Sequence, residues 1–388
     1  MRIGDVRVFD GARVLASQDV VVREGVITEV SKAVGGPADV DGRHHTLLPG
    51  LFDAHVHVDP HPETALRQLA EMGVTTALDM FSGGEPLAHT LRLRQADPPG
   101  LAAVRTAGTG ATAPGNMLEK LAGQALPTVD GPAAAQAWVD ARIRDGADFI
   151  KIIYDEHEGG PLDLATMTAL VDAAHVRGLL AVAHAISERP AREAITAGVD
   201  GLAHLFIGDA AGADFGSFAA DHGVFVVPTL TVLRGLCGYR PYEDMRTDPR
   251  LADQIGRNTP PMPVRPADPS RNHLYAATTA ALGQLMAAGV PLLAGTDTAL
   301  PTAALGVIGY GATLHAELEL LVEAGLSPTQ AMVAATSAPA QAFRLTDRGL
   351  IRPGLRADLV LVHGDPTTDI RDTRNVVAVW KRGIRLQP

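Results

Sequence analysis

The chain has 388 residues, 46% of them hydrophobic and only 4% aromatic, and a formal net charge of −11. That length and apolar content supply a core large enough for one big domain with a small one beside it. The acidic balance excludes nucleic acid and anionic membrane as partners, because both attract basic surfaces.

A single cysteine, Cys237, leaves no disulfide framework and points to a reducing, cytoplasmic setting. The first residues carry no secretory pattern, and no window of about 18 apolar residues offers a transmembrane helix. The expected partner is therefore a small-molecule substrate, with no nucleic acid and no membrane; a homo-oligomer is compatible with all of this.

From the N-terminus, short apolar runs at 6–9, 20–22 and 26–30 are separated by Asp10-Gly11 and Glu24-Gly25, the signature of a small antiparallel sheet. Runs at 357–362 and 376–380 repeat the style. Residues 1–49 and 346–388 are together expected to form a small β-sandwich domain.

Between them the apolar run 47–54 ends in His55-Val56-His57. On a strand, positions i and i+2 point the same way, so this pair aims two imidazoles at one spot. Further strand-like runs follow at 74–78, 102–105, 149–153, 179–183, 199–203, 224–227 and 290–294. Stretches with helical spacing lie between them at 132–144, 164–177 and 189–197. Ser327-Pro328-Thr329-Gln330 reads as a capping box that opens another helix.

Eight such repeats predict an α/β fold, a (β/α)₈ TIM-type barrel over 50–345, with its site at the C-terminal strand ends. No G-x-G-x-x-G loop supports an open doubly wound sheet instead. A stretch crowded with Pro and Arg, 234–271, interrupts the rhythm. It reads either as a lid or binding loop over the barrel mouth or as a solvated insert. Its arginines would hold a substrate carboxylate or keep the loop soluble.

The ends of the predicted strands share one chemistry: His55 and His57, Lys151, His184, His204 and Asp297. Four histidines and a carboxylate gathered at one mouth can hold one or two divalent ions. Lys151 lies among Phe149, Ile150, Ile152 and Ile153, where burying its charge is costly. It is either a snorkelling or salt-bridged lysine, or a carbamate formed with CO₂ whose two oxygens bridge two cations. His61, His175 and His222 read as loop or helix-end residues, while His315 and Glu317 open an amphipathic helix. Cys237 falls in the long loop.

This set resembles the amidohydrolase superfamily of metal-dependent hydrolases. Further matches run through 48–57, Ala335-Thr336-Ser337-Ala338-Pro339-Ala340 and 349–360. Within the superfamily the chain is most similar to the imidazolonepropionase-like and prolidase-like branch, through 146–151, Ala183-His184-Ala185 and 198–204. One departure is Ala203-His204-Leu205-Phe206, where many relatives have Glu-His-Gly.

The resemblance implies two divalent metal ions, usually Zn²⁺. His55, His57 and Asp297 would hold the more buried ion, His184 and His204 the more exposed one, and a carboxylated Lys151 both. A bound ion lowers the pKa of its water from about 15.7 towards 7, giving hydroxide to attack a carbonyl. Asp297 would carry the proton to the leaving amine. Tyr154 reads as an oxyanion donor contacting substrate, or as a packing residue.

The expected reaction is hydrolysis of an amide C–N bond in a dipeptide or N-acyl amino acid. Lactone or ester hydrolysis and deamination are the alternatives on the same scaffold, with Lys151 counting against deamination. An inactive barrel that only binds is the non-enzymatic alternative, disfavoured by the intact ligand set.

Overall fold

The computed structural model describes residues 1–113, 127–154, 162–239, 245, 248–251, 267–299 and 309–387. The chain opens with β1 (Arg2–Phe9), β2 (Val14–Arg23), β3 (Val26–Lys32), β4 (Val40–Asp41) and β5 (His45–Pro49). β6 (Leu51–Val56) begins two residues after β5 ends. Gly50, between them, runs so close to Thr75 that a Cβ would lie 2.0 Å from its Oγ1. Only glycine fits there, and the apolar run 47–54 is divided at this point between two sheets.

β6 pairs in parallel with β7 (Val74–Asp79), which pairs in parallel with β8 (Ala103–Thr106). A second parallel sheet runs β9 (Ile150–Ile153), β10 (Ala181–His184), β11 (Gly201–Ala203), β12 (Phe225–Val227). The strands are buried almost throughout, as parallel strands covered by helices must be. The covering helices include Pro62–Glu71, Gly84–Ala96, Ala135–Arg144, Leu164–Val176 and Glu188–Thr196. The capping box predicted at Ser327 is formed: Gln330 N donates to Ser327 Oγ, and Ser327 N donates to Gln330 Oε1.

Single parallel bridges join these sheets to their neighbours: Ala111 to Ile152, Val226 to Leu292 and Val56 to Thr298. The strand expected at 290–294 is replaced by these isolated contacts. Pro291 has no N–H to give, and the donors that follow scatter. Leu293 N reaches Val226 O, Ala294 N reaches Ala334 O, and Thr296 N and Asp297 N both converge on His55 O.

The chain returns through β13 (Leu359–His363), β14 (Val376–Lys381) and β15 (Ile384–Arg385). β5 pairs with β1 on one side and β13 on the other, so both termini share one eight-stranded sheet. The pairing runs in one continuous path from β15 to β3, with register shifts in β1, β2 and β13. Ile3, Val6, Ile27, Leu47, Leu359 and Trp380 form the core against it.

Of the stretch 234–271, the first residues belong to the helix Leu230–Leu236 and the last to a 3₁₀ turn, Pro269–Leu274. Most of the expected lid, at 240–244, 246–247 and 252–266, lies outside the described residues. Among the described residues no helix is long and apolar enough to cross a membrane.

Candidate metal centre

β6 carries the first histidine on a buried, apolar strand. His55 is 1% exposed, and the strand ends at Val56, one residue before the half-buried His57. The two rings nonetheless converge, with centroids 5.3 Å apart. What they converge on is Asp297. Its Oδ1 lies 3.2 Å from His55 Nε2 and 2.9 Å from His57 Nε2.

Asp53 builds that meeting point. One of its oxygens accepts from His55 N and Thr296 N, and the other from Thr296 Oγ1 at 2.7 Å. This pins the segment carrying Asp297 against β6. Gly295 permits the approach, since a Cβ there would come within 2.7 Å of His55 N and 2.5 Å of Val227 Cγ1. Asp297 itself is left-handed, with φ 56°.

The other two histidines continue the cluster. His204 packs its ring 4.8 Å from His55 and 4.5 Å from His184. It too is left-handed (φ 75°), and its Nδ1 lies 2.8 Å from Thr229 Oγ1. His184 ends β10. Lys151 is 1% exposed in the middle of β9, with its backbone in register with Val182 of β10. It lies close enough for its charge to bear on His55, His57 and His204. All six expected side chains therefore belong to one neighbourhood, although only His55, His57 and Asp297 have ligand atoms within 4.8 Å of one another.

Burial, with the Lys151 charge, pushes the His55 imidazole down to about 3. Burial and the His184 charge hold His204 well below its ordinary value. Both are therefore neutral and carry lone pairs at pH 7. Burial also pulls on His57, but its bond to Asp297 and the charges of Asp297 and Asp79 outweigh that and raise it. Burial would raise Asp297, yet the surrounding histidines hold it well below the carboxylate range.

His57 Nδ1 faces the Phe81 carbonyl at 3.4 Å. A carbonyl only accepts, so Nδ1 carries the hydrogen there, and Nε2 turns towards Asp297. Two imidazole nitrogens and a carboxylate oxygen thus meet at one point, where a divalent ion would take a lone pair from each. His55 Nδ1 is buried without a hydrogen-bond partner among the described residues. A buried N/O donor set of this kind suits a divalent ion such as zinc.

Tyr154 follows β9, but its hydroxyl donates to Glu193 Oε2 at 2.7 Å, so its proton already has an acceptor. Burial and Glu193 raise its pKa, which keeps that proton in place. His175 pairs with Asp200, and His222 with the Phe218 carbonyl. His315 and Glu317 are fully buried. His315 contacts Met72 O and Thr373 Oγ1, while Glu317 accepts from Leu230 N and Thr231 N at 2.8 Å each. Cys237, expected in the long loop, is buried at the end of the helix Leu230–Leu236.

Sequence reasoning passed over Asp53, Asp79 and Thr229. Asp79 accepts from Thr106 Oγ1 (2.6 Å) and Val58 N (3.2 Å), and burial raises it to about 6. Two carboxylates within apolar strands were the available signal.

The model of the amidohydrolase family matches residues 46–385. An uncharacterized protein of Mycobacterium tuberculosis is 28% identical over 336 residues, covering 82% of this chain and 80% of its own. The dihydroorotase of Mycobacterium tuberculosis is 26% identical over 387 residues, covering 90% and 86%. The crystal structure of a Xaa-Pro dipeptidase with bound methionine superposes with a TM-score of 0.78. It covers 100% of this chain and 99% of that one at 24% identity, a likeness of fold.

Proposed function

This chain belongs to the amidohydrolase family and is a hydrolase, and we propose that it cleaves an amide C–N bond in a dipeptide or N-acyl amino acid. The observation carrying this reading is the meeting of His55 and His57 on one oxygen of Asp297, 3.2 and 2.9 Å away. The fold shared with a Xaa-Pro dipeptidase supports the choice of substrate class.

In this reading, the two parallel sheets and the segment 290–299 close as a (β/α)₈ barrel over 50–345. Residues 1–49 and 346–388 form the small β domain. The single bridges at Ala111, Leu292 and Thr298 support that closure. His55, His57 and Asp297 would hold one divalent ion, His184 and His204 would hold a second, and Lys151 would serve the site as a carbamate. Carboxylation also removes a positive charge from a side chain that is 1% exposed.

Bound there, divalent zinc supplies a Lewis acid that polarises a carbonyl and acidifies water. The chain's own part is proton handling and orientation. Asp297 takes the proton of the attacking water as the new C–O bond forms, and returns it to the nitrogen as the C–N bond breaks. His55 and His204, kept neutral by burial, orient without competing for that proton. Tyr154 reaches substrate by exchanging its bond to Glu193 for one to the developing oxyanion.

The test is a panel of dipeptides, N-acyl amino acids and lactones, followed over pH, with metal content measured on the same protein. Amide turnover with about two ions per chain is expected from the six-ligand set. Lactone turnover alone, or full activity in chelator-stripped protein, overturns the reading.

A further inference from the structure

A second charged site lies away from the histidines, where the parallel sheet meets the terminal sheet. A cavity of about 120 Å³ is walled by Thr76 of β7, Arg105 of β8, Arg94 in the last turn of the helix Gly84–Ala96, Asp97 just after that helix, and Arg348 and Arg356. Four guanidinium groups share this wall with one carboxylate.

The surrounding ion pairs do not neutralise it. Asp148 lies 2.6 Å from Arg94 and 3.8 Å from Arg105. Asp347 pairs with Arg348 at 2.8 Å, and Asp358 with Arg356 at 3.0 Å. Asp97 is drawn to Lys381 at 2.6 Å, with Arg356 and Arg382 each 3.6 Å away. Six cationic side chains thus face four carboxylates, in a protein whose net charge is −11.

Donors also remain unspent. The Arg105 guanidinium makes no hydrogen bond among the described residues, its one ion pair being the 3.8 Å contact. Arg356 Nη1 has only the 3.6 and 3.8 Å approaches of Asp97 and Asp347. Arginines that retain N–H groups around a small polar cavity match a tetrahedral oxyanion, which takes paired hydrogen bonds from each. A cavity of this size holds several waters, enough for one such group.

We propose that this cavity binds a phosphate group, as free inorganic phosphate or as the head of a small phosphomonoester. Thr76 and Arg105 belong to the parallel sheet, whereas Arg348 and Arg356 lie on the return to the terminal sheet. The bound anion would therefore fasten the two together.

The test is calorimetric titration of the purified enzyme with inorganic phosphate, then methyl phosphate, at constant ionic strength, with thermal melting alongside. Saturable binding of one anion per chain and a raised Tm are expected. Arg105→Ala should weaken binding by about tenfold or more, the loss of one to two charged hydrogen bonds, while amide turnover is unchanged. Tighter binding of methyl phosphate would name a phosphomonoester as the source, and its exclusion would name the free ion. Asp297→Ala separates this cavity from the metal centre, since binding should survive it. Absence of saturable binding, binding untouched by Arg105→Ala, or binding abolished by Asp297→Ala overturns the proposal.

Discussion

His204 and Thr229 both hold left-handed backbone, φ 75° and 48°, and their side chains meet at 2.8 Å. Neither is glycine, and Thr229 is β-branched, so the chain bears strain at both ends of one hydrogen bond. Thr229 Oγ1 faces Nδ1, which turns Nε2 of the same ring to the other side. A metal-binding imidazole is ordinarily fixed by such a partner on its second nitrogen.

Thr229→Val should therefore cost about 10- to 100-fold in metal affinity, read by competition with a chromogenic chelator. Thr229→Ser should restore most of it, because the hydroxyl is kept. Equal losses in both variants would show that packing, not the hydrogen bond, is what Thr229 supplies.

Asp297 and Lys151 are distinguishable by their effects. Asp297→Asn should keep much of the bound metal yet abolish turnover, since an amide cannot shuttle the proton. Lys151→Met should lower the ion count per chain, measured by elemental analysis, if Lys151 serves the site as the proposed carbamate. Undiminished turnover in Asp297→Asn would refute its proton-carrying role.

Burial pushes Glu317 up to about 8 from the ordinary 4.5, despite its two backbone donors, Leu230 N and Thr231 N. Between those values the folded state keeps a proton that the unfolded chain has released. Stability from this group is full below pH 4.5 and is lost as pH rises towards 8. Glu317→Gln should flatten that part of the Tm-versus-pH curve, at the cost of one backbone hydrogen bond. Parallel curves for the two proteins would remove Glu317 as the source.

Gly295→Ala should destabilise the protein by about 1–3 kcal/mol through overpacking and should reduce metal loading as well. The added Cβ would sit 2.7 Å from His55 N and 2.5 Å from Val227 Cγ1, which forces apart the contact that brings Asp297 to His55. Denaturant unfolding and metal content, measured together, check both effects. Loss of stability with intact loading would separate the glycine from the site.

The convergence of His55, on its strand, with His57 just beyond it, the capping box at Ser327 and the succession of parallel strands were readable in the chain because each depends on local spacing. The motif 48–57 and the returns at 335–340 and 349–360 likewise pointed to the amidohydrolase family. Asp53 and Asp79 are visible as carboxylates within apolar runs, but their burial and that of Glu317 were left open, since such a carboxylate looks the same whether it faces solvent or a backbone N–H.

The segment 290–294 shows the same limit. Its composition suits a strand, yet its donors go to three different partners, and that choice belongs to the neighbours. Local sequence determined which side chains could act as ligands. Tertiary structure alone decided that Asp297 meets His55 and His57, because the close approach and the buried hydrogen bonds enforcing it come from residues far apart in the chain.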